Sequence, residues 1–224
     1  MEETLNVYQR LPDPMRPLVC FDEASKQLVD HVKTPIEAGP GHPIRITDYE
    51  YVRNGTANMF MLYAPLEGRR DVLVTDQRTT IDYANAIMHL VDVMYPDAEK
   101  IVLVQDNLNT HKLASLYAAF PPEEASRLIG KLEVHYTPKH GSWLNMAEIE
   151  LGILSRQCLD RRIPDREKLK CEVAAWQRRR NESLAKVDWQ FTTADARVKL
   201  KRLYPITETD DSTTKLRNLK LADH

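Results

Sequence analysis

Ile101-Val102-Leu103-Val104-Gln105-Asp106 is a continuous apolar run that ends in a carboxylate, and Leu18-Val19-Cys20-Phe21-Asp22 repeats the pattern earlier in the chain. Short apolar runs of this kind are typical of strands that are buried on both faces of a sheet. Ligands of α/β sheets usually lie beyond the carboxyl ends of such strands. If the two strands are neighbours, Asp22 and Asp106 lie close together.

A third acidic residue, Glu148, lies on a predicted helix over residues 143–158, for which Ser142 is a natural N-cap. Apolar side chains form one stripe along this helix, at Leu144, Ala147, Leu151, Leu154 and Cys158. Glu148 borders that stripe, whereas Glu150, roughly 200° further round, is predicted to face away. A carboxylate beside a core is costly unless it is paired or binds a metal. Glu148 is therefore the predicted third acid of the site.

The acidic site is predicted to bind a divalent metal ion, because carboxylate oxygens suit Mg²⁺ or Mn²⁺ and not zinc. Asn107 and the other amides after Asp106 would then orient its carboxylate, although the same segment would be unremarkable as a structural turn. For His111, support of the metal ligands and a surface position at a helix start are equally good interpretations.

The order of predicted elements indicates a mixed α/β sheet with helices on both faces. Asn54-Gly55 is a strong hairpin signal ahead of a strand over residues 57–63. Further strands are predicted over residues 71–75, 101–105 and 132–136, and helices over residues 2–9, 80–95, 111–120, 122–131 and 166–181. Residues 206–224 are polar and aperiodic, which predicts a disordered tail.

Composition is that of a globular protein: 224 residues, of which 42% are hydrophobic and 29% charged. No apolar stretch approaches the ~18 residues needed to span a bilayer, and no membrane partner is expected. Three cysteines without Cys-x-x-Cys spacing predict a reduced, cytoplasmic protein. The net charge of −2 does not favour nucleic acid, but nine Lys and Arg residues between Arg156 and Arg180 predict either a phosphate-contacting surface or a solvated helix face.

Four motifs, taken together, closely resemble bacterial DDE transposases of the insertion-sequence six-thirty family, which are relatives of the mariner elements. The motifs occur in order along the chain: Cys20-Phe-Asp-Glu23, Asp48-Tyr-Glu-Tyr-Val-Arg-Asn-Gly-Thr56, Val104-Gln-Asp-Asn-Leu-Asn-Thr-His111 and Tyr136-Thr-Pro-Lys-His-Gly-Ser-Trp-Leu-Asn-Met-Ala-Glu148. The resemblance runs from about residue 16 to Pro205. It implies a ribonuclease H-like, integrase-like domain with a mixed five-stranded sheet and a helical C-terminal extension.

The resemblance also implies roles for particular residues. Asp22, Asp106 and Glu148 match the catalytic acids that bind two Mg²⁺ or Mn²⁺ ions and support DNA strand cleavage and strand transfer in cut-and-paste transposition. Residues expected to hold these acids in place are Glu23, Asn107, His111 and Asn145. Residues expected to contact DNA are Lys139, His140, Trp143, Arg161, Arg162, Arg178, Arg179 and Arg180, although packing at the helix start is the preferred role of Trp143.

The expected organisation is a linker or short helix over residues 1–17, a catalytic domain over 18–160, a basic helical extension over 161–205 and the tail. Only about 15 residues precede the first catalytic strand, too few for the helix-turn-helix region of full-length relatives. The expected partners are the element ends and target DNA, a second copy in a homodimer and a separately encoded helix-turn-helix half, with the protein at the nucleoid. The alternatives are a truncated, non-enzymatic fragment that regulates a full-length transposase and a stand-alone structure-specific nuclease.

Overall fold

One mixed sheet of five strands forms the centre of the computed structural model, which describes residues 1–33, 38–41, 49–108, 111–138 and 141–204. The strands are β1 (Leu18–His31), β2 (Tyr51–Ala64), β3 (Arg69–Thr75), β4 (Ile101–Gln105) and β5 (Leu132–Tyr136). Their order in the sheet is β3-β2-β1-β4-β5. β1, β2 and β3 pair antiparallel, whereas β4 lies parallel to both β1 and β5. The predicted mixed sheet is therefore confirmed, with β4 and β5 at their predicted bounds.

Helices cover the sheet, and most of them follow the predicted periodicity. They are α1 (Glu2–Tyr8), α2 (Thr80–His89), α3 (Ala114–Ala119), α4 (Pro122–Gly130), α5 (Met146–Leu154), α6 (Arg166–Glu182) and α7 (Thr193–Lys199). α2 and α5 each continue into a π-helical turn, Leu90–Met94 and Ser155–Leu159. α7 was not predicted, although its capping box, Thr192 with Asp195, is visible in the sequence. Within the described residues, none of the helices is long and apolar enough to cross a membrane.

Side chains of alternate residues in the central strands pack into two separate hydrophobic cores, one on each face of the sheet. On β1, Cys20 belongs to the core that includes α5 and α6, while Val19 and Phe21 belong to the core that includes α2 and α4. All five residues of β4 are buried. Burial on both faces explains why β1 and β4 read as continuous apolar runs and not as alternating ones.

The Asn54-Gly55 pair does not form the predicted hairpin turn, and that prediction was wrong. β2 runs through both residues, and the register with β1 moves from Arg53–Val29 to Thr56–Gln27. Two residues of β2 therefore face the single residue Leu28, which makes a β-bulge. The bulge uses the backbone conformation that Asn-Gly favours, since Gly55 has a φ of +89°. β1 and β2 consequently continue together well past Asp22.

Side-chain amides of α6 cover the exposed edge of β3. Asn181 Oδ1 accepts a hydrogen bond from the backbone N–H of Arg70 (2.9 Å), and its Nδ2 donates to the carbonyl of the same residue (2.9 Å). Gln177 Oε1 accepts from the N–H of Val72 (2.9 Å). These bonds occupy backbone groups that an edge strand would otherwise offer to another chain. This part of the predicted basic extension therefore packs against the sheet.

Glu150 is the buried acid of α5, contrary to the prediction that it faces away. Its side chain is 0% exposed, and Oε1 lies 3.0 Å from Nε of Arg70, which is also 0% exposed. Arg180 of α6 donates to both carboxylate oxygens of Glu150, at 2.6 and 3.0 Å. Two distant arginines thus make a buried position acceptable to an acid, and helical spacing alone does not reveal such partners.

We expect Glu150→Gln to lower the free energy of unfolding by about 3–5 kcal/mol, because it leaves the buried charge of Arg70 without its counter-ion. Glu124→Gln is the control, since Glu124 pairs with Arg127 at the surface and should cost no more than about 1 kcal/mol. Urea denaturation of the two variants measures the difference. Equal losses would show that the buried network does not depend on this charge.

Candidate acidic site

The parallel pairing of β1 with β4 places two of the predicted acids side by side. Cys20 is paired with Val104, so Asp22 and Asp106 each lie two residues further along neighbouring chains. Cys20 and Val104 both belong to the core on the α5 side, and strand periodicity directs Asp22 to that same side. Asp22 therefore lies on the face of the sheet that α5 covers, beside the end of β4 where Asp106 follows.

Asn145 attaches the start of α5 to β1 beside Asp22. This side chain is buried (1% exposed), and its Nδ2 donates to the carbonyl of Phe21 (2.8 Å). Its Oδ1 accepts from the N–H of Ala147 (3.1 Å), which makes Asn145 the N-cap of the helix in place of the predicted Ser142. Glu148 stands in the first turn of α5, three residues after this attachment.

Glu148 is exposed, so the reason given for choosing it from helical spacing was wrong, but its charge acts on Asp22. The pKa of Asp22 is raised to about 6, first by burial and then by the nearby carboxylates of Asp106, Glu148 and Glu23. The hydrogen bond from the N–H of Glu23 to Asp22 Oδ1 (2.8 Å) opposes this rise. The structure therefore brings the three predicted acids into one electrostatic neighbourhood.

The imidazole of His111 lies between the side chains of Asp106 and Glu23 and contacts both. It is completely buried; its Nδ1 contacts Asp106 Oδ1, and its Nε2 lies 2.6 Å from Glu23 Oε2. Burial disfavours the charged ring, but the bonds to both carboxylates outweigh burial and raise the pKa of His111 to about 9. The ring is therefore an imidazolium at pH 7 and donates from both nitrogens. Of the two interpretations of His111, support of the acids agrees with this position.

Aromatic rings and Gln105 fix the orientation of His111. Tyr83 stacks on the imidazole at 5.1 Å between centroids, and Phe21 meets it edge-on at 5.1 Å. Gln105, which is 0% exposed, donates from Nε2 to the carbonyl of His111 (2.8 Å) and accepts from the hydroxyl of Tyr83 (3.0 Å). Sequence reasoning did not assign Gln105 or Tyr83 to the site. The available signal was the amide that ends an apolar strand, since a buried polar group needs partners.

The other two residues predicted to hold the acids in place, Glu23 and Asn107, differ in burial. Glu23, whose side chain is 7% exposed, also accepts from Nη1 of Arg78 (3.3 Å), a residue that the sequence did not indicate. Asn107 is exposed. Among the predicted DNA contacts, Lys139 and His140 lie outside the described residues.

Four of the other predicted DNA contacts have partners within the chain. Trp143 stacks with Trp189 at 6.4 Å, which agrees with packing, while remaining 38% exposed. Arg161 pairs with an acid of α6, Arg162 Nη1 donates to the carbonyl of Glu50 (2.9 Å), and Arg180 pairs with Glu150 as described above. Arg178 and Arg179 are exposed on α6.

The oxygen donors of the three acids fit a divalent metal chemically, but they do not form a closed cage here. Among the described residues, no group of three or more His, Cys, Asp or Glu side chains is arranged to hold a metal ion. Asp106 is engaged by His111, and Glu148 points from an exposed turn. A cavity of about 590 Å³ exists elsewhere, next to Leu18 and Val102 at the opposite ends of β1 and β4. The acidic site is thus an open edge of the sheet.

Sheet order and site together define a ribonuclease H-like domain with an acidic cluster at its two central parallel strands. Residues 17–170 match the family described as DDE superfamily endonuclease, and the chain belongs to that family. The insertion-sequence subfamily suggested by the motifs stays a prediction. No curated protein sequence matches the chain significantly.

Solved structures of Mos1 mariner transposase share the fold. The Mos1 mariner paired-end complex with Mn has 16% sequence identity and a TM-score of 0.53, and the match covers 82% of this chain and 56% of that one. The Mos1 paired-end complex with left transposon end has 16% identity and a TM-score of 0.52, covering 82% and 57%. The Mos1 strand transfer complex has 15% sequence identity and a TM-score of 0.51, and the match covers 82% of this chain and 56% of that one. The chain spans a little over half the length of these transposases, and the likeness confirms the ribonuclease H-like fold.

We expect Asn145→Asp to lower the free energy of unfolding by about 1–3 kcal/mol. Aspartate still caps α5 by accepting from Ala147, but it cannot donate to Phe21 and leaves that carbonyl facing another acceptor. Asn85→Asp, at an exposed position of α2, is the matched control and should change stability by less than about 0.5 kcal/mol. Urea unfolding compares them, and a loss no larger than the control's would refute the role of the donated hydrogen bond.

Proposed function

We propose that the chain is the catalytic part of a DDE transposase, which cleaves DNA strands and transfers them with the help of a divalent metal. Asp22, Asp106 and Glu148 are the proposed metal ligands. Two observations support this proposal: the β1–β4 register, which sets Asp22 beside the strand end that carries Asp106, and the attachment of α5 to Phe21, which holds the turn that carries Glu148 close to β1. Membership of the DDE superfamily endonucleases supports the reaction class.

The metal in this proposal is Mg²⁺ or Mn²⁺, and two ions are expected because hydrolysis and transfer both act on a phosphodiester between an attacking and a leaving oxygen. When bound, such ions neutralise phosphate charge and provide a nucleophile at neutral pH. Carboxylate oxygens are the appropriate donors for these hard ions. Two of the Mos1 structures with this fold are described as complexes with Mn and with Mg.

The protein's own contribution is to hold the acids in place. His111 donates to Asp106 and is itself fixed by Glu23 and by the stacked ring of Tyr83. Asn145 fixes the position of the first turn of α5 and hence of Glu148. The open edge of the site leaves room for a duplex, which an enclosed pocket would not.

The proposed partners are the DNA ends of the element, a target DNA and a second copy of the chain. Because the match spans a little over half of each Mos1 chain, recognition of particular ends is assigned in this proposal to a separate helix-turn-helix part. The Mos1 structures are described as paired-end and strand transfer complexes, which supports DNA as the substrate.

Nicking of a labelled duplex that carries the element's own ends should require Mg²⁺ or Mn²⁺. We expect Asp22→Asn, Asp106→Asn and Glu148→Gln each to reduce the nicking rate at least about a hundredfold, because metal stabilisation of phosphate charge contributes several kcal/mol. Glu123→Gln, on an exposed turn of α4, should nick at the wild-type rate.

The variants also separate the alternatives. Full activity of Glu148→Gln would exclude this acid and require another third ligand. A folded wild-type protein that does not nick DNA with either metal, even when the end-binding half is supplied, would favour the regulatory fragment instead. Equal cleavage of duplexes with and without the element's ends would favour a stand-alone nuclease.

A further inference from the structure

The far end of α5 and the middle of α6 enclose an open, polar hollow of about 370 Å³. We name it the arginine hollow after three of its lining residues, Arg156, Arg161 and Arg179. Asp160 and Glu172 also line it. The arginines come from the π-helical turn after α5, from the following loop and from α6, so the fold brings together cations that are up to 23 residues apart in sequence.

Glu172, one of the two acids that line the hollow, is paired with cations of the same chain. Arg161 pairs with Glu172 through Nη2 and donates from Nε to the carbonyl of Cys158 (3.1 Å). Lys168 Nζ lies 3.0 Å from the other oxygen of Glu172. Because two cations face this one carboxylate, Glu172 does not cancel the charge of the remaining arginines.

Arg156 and Arg179 are the two cations that the hollow leaves available. Both are exposed, and no carboxylate within the described part of the chain lies within 4 Å of either guanidinium. A guanidinium presents a planar set of donors that matches two oxygens of a phosphate group. Two such groups beside one concave surface are suited to an anion that supplies several oxygens.

The hollow also has a defined distance from the acidic site. Glu148 and Arg156 are eight residues apart along α5 and the π-helical turn that continues it, which is at most about 12 Å at the α-helical rise of 1.5 Å per residue. Lys26 gives a second measure: it is four residues beyond Asp22 on β1, about 13 Å, and its Nζ donates to the carbonyl of Leu159 (2.6 Å), which stands between the lining residues Cys158 and Asp160. DNA advances 3.4 Å per nucleotide of one strand, so about 12–13 Å corresponds to roughly four base pairs.

We propose that the arginine hollow binds a backbone phosphate of DNA about four base pairs from the phosphate at the acidic site. The choice of DNA rests on the proposed function, whereas the phosphate chemistry rests on Arg156 and Arg179. An open hollow beside a long β1–β2 ribbon suits a polymer that passes across the surface. Contacts of this kind position the duplex and carry no sequence information.

Equilibrium binding of a fluorescent DNA duplex, without divalent metal and between about 50 and 200 mM salt, tests the proposal. We expect the slope of log K against log salt to become shallower by about one unit in Arg156→Gln and in Arg179→Gln, and by about two in the double variant. Arg127→Gln is the control, because this arginine is also exposed but lies on α4, pairs with Asp92 and Glu124 and does not line the hollow. Its slope should stay within half a unit of wild type.

A scan with single methylphosphonates, which remove the charge of one phosphate, then locates the contact. Substitution about four base pairs from the nick should weaken wild-type binding and have no further effect in the double variant. If Arg127→Gln flattens the slope as much as the hollow variants do, or if neither hollow variant changes it, the proposal is wrong. Salt-sensitive binding that depends on the hollow without metal-dependent nicking would contradict the proposed function alone, and nicking with unchanged slopes would contradict the hollow alone.

Discussion

The hydrogen bond from Asn145 to the carbonyl of Phe21 is the interaction on which the geometry of the site depends. Asp22 is the next residue on β1, and Glu148 lies in the helical turn that Asn145 caps. One buried amide therefore links the backbone beside the first acid to the helix that carries the third. Because both ends of the amide are used, neither can move without leaving a buried polar group unpaired. The parallel register of β1 and β4 then sets the position of Asp106.

The rotation of α5 is set by a charge that takes no part in the site. Glu150 is buried between Arg70 of β3 and Arg180 of α6, so α5 must present this residue to the protein interior. Glu148 precedes it by two residues and consequently lies roughly 200° away, on the exposed side. The same ion pairs attach α6 to the sheet. An arginine expected at a DNA surface, Arg180, thus has a structural role in fixing which acid of α5 is exposed.

The sequence was sufficient for those parts of the fold that depend on local periodicity. β4 and β5 have their predicted bounds, whereas the pairing of β1 with β4, on which the nearness of Asp22 and Asp106 depended, comes from the structure. The bulge at Asn54-Gly55 was missed because positive φ at Gly55 satisfies a bulge as well as a turn, and only pairing with β1 decides between them.

The identity of the buried acid on α5 could not be predicted from the sequence for a different reason. The apolar stripe suggested that Glu148 borders the core, but the partners of Glu150 are 80 and 30 positions away. Long-range charge pairing leaves no periodic signal in a helix. Prediction therefore succeeded for β4 and β5, but it ended β1 at Asp22, whereas pairing with β2 carries that strand on to His31. It also failed where a distant counter-ion made a polar residue acceptable in the core.

A cluster of carboxylates repels DNA phosphates as strongly as it attracts cations, so the proposed affinity for DNA has to come from charges elsewhere on the surface. A cation that lies close enough to pair with one of these acids attracts phosphate less strongly. The arginine hollow is about 12 Å from Glu148 along α5, beyond the ~8 Å over which exposed charges interact at physiological ionic strength. The chain's net charge of −2 averages these two regions and conceals both. In the proposed function, the separation of the acidic site from the basic surface along α5 and its π-helical turn lets both act on the same duplex.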